Sequence, residues 1–164
     1  MNKEIIDAIP GIISGLDRIE ISDKTAFLGF DACIDNIVRV VRDRNENAAT
    51  EYFSDSNRLG EFLLKLDNKS CGLELHTKLS KIGGNMVITA NALGNLGIHA
   101  ECVGTFGMPD ILPVFRTMSD NCTLHTIADT ITATALEFDN SKVIMFDPGP
   151  YINLTWEGIK HYDF

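Results

Sequence analysis

Apolar residues recur along this chain with two periods, and the switching between them outlines an α/β protein. Over residues 3–18, Ile5, Ile6, Ile9, Ile12, Ile13 and Leu16 fall near helical spacing, which predicts an amphipathic helix. Pro10 lies inside that segment and predicts a kink or break, because proline has no N–H for the helix ladder. The short apolar run 25–30 predicts a buried strand, and Ile37, Val38, Val40 and Val41 favour extended structure over 34–41. Residues 42–55 are polar and acidic and read as a solvated loop. Leu59, Phe62, Leu63 and Leu66 form one stripe of a helix over 57–66. Leu73, Leu75, Thr77 and Leu79 alternate with Glu74, His76, Lys78 and Ser80, the period of a half-exposed strand over 73–82. A helix of small residues is predicted over 85–96 and a second buried strand over 100–104. Residues 112–118 read as helical, 124–127, 132–138 and 142–146 as strands, and 155–161 as a helix with Thr155 as its cap. Asp139-Asn140-Ser141 is the turn of a hairpin joining the last two strands. Strands alternating with helices and followed by a hairpin predict an α/β core with an appended antiparallel piece.

Composition narrows the function classes. At 164 residues the chain is long enough for one domain that buries about two thirds of its unfolded surface. The net charge of −9 and the scattered Lys and Arg residues argue against nucleic acid, which requires a basic stripe. No apolar run approaches the ~18 residues of a membrane span, and the N-terminal Met-Asn-Lys-Glu-Ile-Ile-Asp is not a signal peptide. Cys33, Cys71, Cys102 and Cys122 lie far apart with no Cys-x-x-Cys pair, and His76, His99, His125 and His161 are equally dispersed. We therefore expect buried reduced thiols in a cytoplasmic protein and no metal site.

Three segments carry candidate chemistry. In the first, Gly83-Gly84 stands directly before the helix 85–96, which ends on Leu93-Gly94-Asn95-Leu96-Gly97. Paired glycines allow close backbone approach, and the free N–H groups of a helix N-terminus attract hydroxyl or anionic oxygens. The pair also reads as a plain tight turn, and both G-x-G-x-x-G and the P-loop pattern are absent. In the second, Gly29-Phe30-Asp31-Ala32-Cys33-Ile34-Asp35-Asn36-Ile37 puts two carboxylates beyond a strand end, where α/β sheets bind ligands. The alternative there is an acidic turn with Asp35 as a cap. In the third, the small residues Ala133 and Ala135 of the 132–138 strand leave room for a ligand or belong to an ordinary hairpin. Tyr151 and Trp156 read as core or rim packing.

Together and in this order, these segments resemble the N-terminal portion of the ribokinase/PfkB family of carbohydrate kinases. The carriers are Gly29 with Asp35-Asn36-Ile37, Gly83-Gly84 with Leu93-Gly94-Asn95-Leu96-Gly97, and Cys102-Val103-Gly104-Thr105-Phe106-Gly107. Thr134-Ala135-Leu136-Glu137-Phe138 and the run 149–154 fit as well. The resemblance implies a ribokinase-like, doubly wound α/β sheet with a small β-sheet lid, the lid strands lying within 34–42, 72–82 and 132–146. The whole of 1–164 would be the N-terminal part of that domain, truncated before the ATP-binding half. It implies a sugar or nucleoside bound between lid and core by Asp35, with Asp31 as second candidate, and by Gly83, Gly84, Asn85 and Ala135. Where the family often has an asparagine after the glycine turn, this chain has Ile88.

The implied reaction is transfer of the γ-phosphoryl group of Mg-ATP to a sugar hydroxyl. The family's second signature, Gly-Ala-Gly-Asp with the catalytic base, is absent from these 164 residues, so no catalytic residue is assigned and ATP and Mg are implied only. A homodimer through the lid is a further implication. Two other readings stand beside this one: a sugar-binding or regulatory module without catalysis, and a different α/β enzyme built on Asp31, Asp35 and Asp147. A partial sheet also predicts exposed apolar surface and self-association.

Overall fold

A computed structural model describes residues 3–16, 23–44 and 50–160. Its strands form two sheets. In the first, β1 (Thr25–Phe30), β5 (His99–Gly104) and β6 (Cys122–Thr126) run parallel in the order β1-β5-β6. In the second, the central strand is β2 (Cys33–Asp43), flanked by antiparallel β4 (Leu75–Gly83) and parallel β7 (Ile131–Glu137). Antiparallel β8 (Lys142–Phe146) continues from β7, and β3 (Glu51–Tyr52) pairs with the far end of β2. The segments 34–42, 72–82 and 132–146 thus all contribute strands to one sheet.

Helix α3 (Asn85–Asn95) covers one face of the first sheet. Its buried Met86, Val87 and Ala90 meet Ala100 and Cys102 of β5 and the rings of Phe106 and Phe115. Those two rings pack edge to face at 5.3 Å, an arrangement favoured by the aromatic quadrupole. A second cluster joins Val38 and Val40 of β2 and Leu136 of β7 to Phe53 and to Leu59 of α2 (Ser56–Leu64), which Asp55 caps through its carboxylate on the Arg58 N–H. On the open face of the first sheet, Val103 and Ile127 are covered by Ile159 of the short helix α4 (Trp156–Ile159).

Several expectations are corrected. Strand β1 is half-exposed, with Phe27 61% accessible, because that part of the first sheet has a helix on one face only. The 42–55 segment is not all loop: β2 runs to Asp43, and Tyr52 seals β3 against it by stacking on His76 beneath the Arg39 guanidinium. Residues 112–118 hold only a short 3-10 turn, Phe115–Thr117, in which each N–H from Phe115 to Met118 reaches the carbonyl three residues back. Helix α1 (Lys3–Leu16) passes through Pro10 unbroken, while residues 17 and 18 of the expected helix lie outside the described residues, as does His161 of the last one. Cys71 is exposed, in contrast to buried Cys33 and Cys102.

Candidate functional site

The two sheets are joined by the shortest of links. Strand β1 ends at Phe30, β2 begins at Cys33, and only Asp31 and Ala32 lie between. Both candidate carboxylates sit at this crossover, and they do different things.

The Asp31 carboxylate caps α3. Its Oδ2 accepts from the Asn85 N–H at 2.7 Å and its Oδ1 from the Met86 N–H at 3.0 Å. The helix has no capping side chain of its own, because its N-cap is Gly84. An aspartate 54 positions earlier supplies the missing acceptor, and the helix dipole favours a negative charge there. This corrects the expectation that the Gly83-Gly84 turn offers free N–H groups to a ligand: those of Asn85 and Met86 are taken. Gly84 has φ +94, and a Cβ there would lie 2.4 Å from the Asp31 carbonyl oxygen, so glycine is required on two counts.

Asp35 lies two residues into the sheet. Register places it opposite Lys81 on β4 and Ala133 on β7. Side chains alternate across a strand, so Asp35 shares a face with Cys33, Ile37, Gly83, Ala133 and Ala135, with Phe146 one strand farther along that row. A Cβ at Gly83 would come within 2.6 Å of the Asp35 carboxyl carbon, so the carboxylate rests directly over the glycine. Its hydrogen-bond partner among the described residues is the Cys33 thiol, Sγ to Oδ1 at 3.6 Å. Burial pushes that thiol up to about 12, with the Asp35 charge and hydrogen bond adding to the shift, so Cys33 stays a protonated donor. Asp35 is half-buried and retains acceptor capacity on both oxygens. The arrangement is a carboxylate seated over Gly83 and beside Ala133, with Lys81 opposite it on β4, and it is suited to accepting hydrogen bonds from hydroxyl groups.

The expected residues do not all converge. Gly83 and Asp35 touch, whereas Ala133, not Ala135, is the direct neighbour of Asp35; Ala135 pairs with Ile37. Asn85 contributes its backbone to the Asp31 cap and its side chain is exposed. Asp147 lies beyond β8, where its carboxylate accepts from the Gly149 N–H, and forms no group with Asp31 and Asp35. Of the two small residues noted on this strand, register puts Ala133 beside Asp35. Cys33 reads from the sequence only as a buried thiol, and its hydrogen bond to Asp35 brings it into the site.

Two depressions flank the crossover and share Asp31. One, about 350 Å³, includes Gly29, Asn85, Met86 and Thr89. The other, about 480 Å³, is lined by Phe30, Tyr151, Leu154, Trp156 and Ile159. A third, about 410 Å³, lies at the far end of the second sheet, where Arg42 and Arg58 already pair with Glu51 and Asp55, away from Asp35. Among the described residues no three His, Cys, Asp or Glu side chains are grouped to hold a metal ion, and no helix is long and apolar enough to cross a membrane.

Comparison with known proteins adds family and fold. The family model described as prokaryotic ketohexokinase matches residues 17–162. No curated protein matches. Among solved structures, a Thermotoga maritima protein described as a possible 1-phosphofructokinase aligns with 16% identity and a TM-score of 0.51, over 84% of this chain and 38% of its own. A carbohydrate kinase from Agrobacterium tumefaciens aligns with 15% identity and a TM-score of 0.47, over 78% and 36%. Arabidopsis thaliana ribokinase complexed with ribose and ATP aligns with 13% identity and a TM-score of 0.45, over 76% and 35%. At these identities the likeness concerns the fold alone, and the Thermotoga structure carries it. The chain spans little more than a third of each of these proteins.

Proposed function

The chain belongs to the prokaryotic ketohexokinase family, within the ribokinase/PfkB carbohydrate kinases, and from that premise we propose that it carries the sugar-recognising part of a kinase for a ketohexose. In this reading the second sheet is the lid, and its Asp35 face is the surface that meets the sugar. The observation that carries the proposal is the Asp35 carboxylate, seated on Gly83 and beside Ala133 with only a neutral thiol on it. A carboxylate so placed accepts from two adjacent sugar hydroxyls, bonds that discriminate strongly because an unmatched partner leaves them unmade. Gly83, Ala133 and Ala135 keep the space for a pyranose or furanose ring, and Gly84, Asn85 and Asp31 hold the wall formed by the start of α3.

ATP and Mg belong to this reading through the family reaction, phosphoryl transfer to a sugar hydroxyl. The described residues do not fit either group. The sequence has no Gly-x-Gly-Asp, the first two N–H groups of α3 are occupied, and no carboxylate cluster suits a cation. No step through ATP or Mg is therefore derived from these residues. The free thiols fit a cytoplasmic setting. The exposed Ile144, Met145 and Phe146 on β8, which has one paired neighbour, fit a homodimer through the lid sheet.

Isothermal calorimetry of the 164-residue chain with D-fructose, D-glucose, D-ribose and adenosine tests the proposal. Saturable binding of fructose in preference to the others is expected. Preference for adenosine moves the substrate to nucleosides, and binding of none of the four overturns the sugar-recognition role.

A further inference from the structure

Three hydroxyls from distant parts of the chain converge on one buried carbonyl. The Ala32 oxygen accepts from Thr105 Oγ1 at 2.8 Å, from Thr130 Oγ1 at 3.2 Å and from the Tyr151 hydroxyl. The Ala32 N–H in turn donates to Thr105 Oγ1 at 3.2 Å. A carbonyl oxygen has two lone pairs, so this one is more than satisfied. Ala32 and Thr105 are both fully buried, and Thr105 is the one buried polar residue among those described. Groups so enclosed have no water to fall back on, and their hydrogen bonds are correspondingly directive.

The position of this carbonyl gives the network its meaning. Asp31-Ala32 is the entire link between β1 and β2. On its N-terminal side Asp31 holds the start of α3, and on its C-terminal side Cys33 and Asp35 enter the second sheet. The three donors come from the end of β5, the approach to β7 and the 3-10 turn Gly149–Asn153 after β8. Phe146, at the end of β8, pairs with Ala133, which pairs with Asp35. The hydroxyl of Tyr151 therefore ties the chain leaving the second sheet to the chain entering it.

We infer that Tyr151, with Thr130 and Thr105, is a positioning residue for substrate recognition: its hydroxyl fixes the Ala32 peptide and, through it, the Asp35 carboxylate over Gly83. The inference rests on the sugar-recognition role proposed above. Tyr151 does not touch the sugar; it acts by denying the crossover the small rotations that would lift Asp35 from its seat. Burial raises the Tyr151 phenol to about 12, so it remains a donor at alkaline pH where a free phenol near ~10 ionises.

The test compares Tyr151→Phe and Thr130→Val with two controls. Thr130→Ser keeps the hydroxyl, and Thr117→Val removes a bond of the same kind, Thr117 Oγ1 to the Val114 carbonyl, away from the crossover. Fructose dissociation constants are measured by calorimetry, folding by circular dichroism, and the alkylation rates of Cys33 and Cys102 by peptide mass mapping with iodoacetamide. Tyr151→Phe and Thr130→Val should weaken fructose binding by about three- to tenfold, the equilibrium equivalent of one ordinary hydrogen bond. They should also speed alkylation of Cys33 but not of Cys102. Thr130→Ser and Thr117→Val should bind as the wild type does. Wild-type affinity and wild-type Cys33 protection in folded Tyr151→Phe would overturn the positioning role alone. Absence of fructose binding by the wild type would instead overturn the sugar-recognition reading on which it rests.

Discussion

Replacing Gly83 by alanine separates recognition from stability. The backbone at 83 is not in the left-handed region, so alanine strains no dihedral there. Its new Cβ would lie 2.6 Å from Cγ and Oδ1 of Asp35 and 2.7 Å from Oδ2. Non-bonded carbons settle at ~3.5–4.0 Å, so the carboxyl group must move by about 1 Å. Asp35 is half-buried and its carboxyl is the far end of a rotatable side chain, so the fold yields cheaply. We expect a stability loss at or below the low end of overpacking costs, about 1 kcal/mol, or at most about 4 °C in Tm for a chain of this size. Binding has no such tolerance: a shift of ~1 Å takes the carboxylate out of hydrogen-bond reach of the sugar hydroxyls, and a hydrogen bond to a charged group is worth about 1.5–3 kcal/mol. Fructose affinity should accordingly fall by about 10- to 100-fold, read by calorimetry beside a thermal melt. Gly84→Ala is the contrasting variant. Its Cβ would meet the Asp31 backbone at 2.4 Å with φ at +94, so stability itself should fall, by roughly 1–3 kcal/mol or more. Fructose binding by Gly83→Ala within about twofold of wild type would refute the reasoning, as would a melt lowered as far as that of Gly84→Ala.

Other consequences follow from the same geometry. Asp31→Ala removes an acceptor from two α3 N–H groups and should cost about 1–2 kcal/mol, measured by urea denaturation, with Asp31→Asn losing less; an unchanged midpoint would show that water replaces the cap. Glu101 bridges His99 and His125 at 2.9 Å each, and these hydrogen bonds hold its carboxyl below the ordinary 4.5. A depressed carboxylate contributes stability that is complete above its unfolded pKa and lost as pH falls through its folded value. Glu101→Gln should therefore flatten the decline in urea midpoint below about pH 4.5, and an unchanged slope would contradict this.

What was legible in the sequence follows from the range of each interaction. Short runs of strand-forming residues on either side of the Asp139-Asn140-Ser141 turn located β7 and β8 closely, and the small-residue run located α3. The two-residue strand Glu51–Tyr52 was invisible, since its stability comes from Tyr52 stacking on His76, a partner in another strand. Residues 112–118 read as helical, but the burial of Phe115 against Phe106 needs no helical period. The candidate site was legible in its parts and not in its assembly. Asp31, Asp35 and the glycine pair stood out as residue types at strand and helix ends. That Asp31 fills the α3 N-terminus depends on two segments 54 positions apart. One signal pointed to it: a helix beginning after Gly-Gly carries no Ser, Thr, Asp or Asn at its N-cap, so an acceptor from elsewhere was needed. The choice of Ala135 over Ala133 was a matter of register, which one strand's pattern cannot set without its partner. Tyr151 read as packing because a phenol's ring is apolar; the destination of its hydroxyl is a tertiary fact.

The central claim is that Asp35 is the group that recognises the sugar. Calorimetric titration of D-fructose into the wild-type chain and into Asp35→Asn tests it most directly, since the substitution keeps size and changes one acceptor oxygen to a donor. The account predicts saturable binding by the wild type and a loss of at least tenfold, about 1.4 kcal/mol, in the variant with the fold intact. Equal fructose affinity in the two proteins would contradict it.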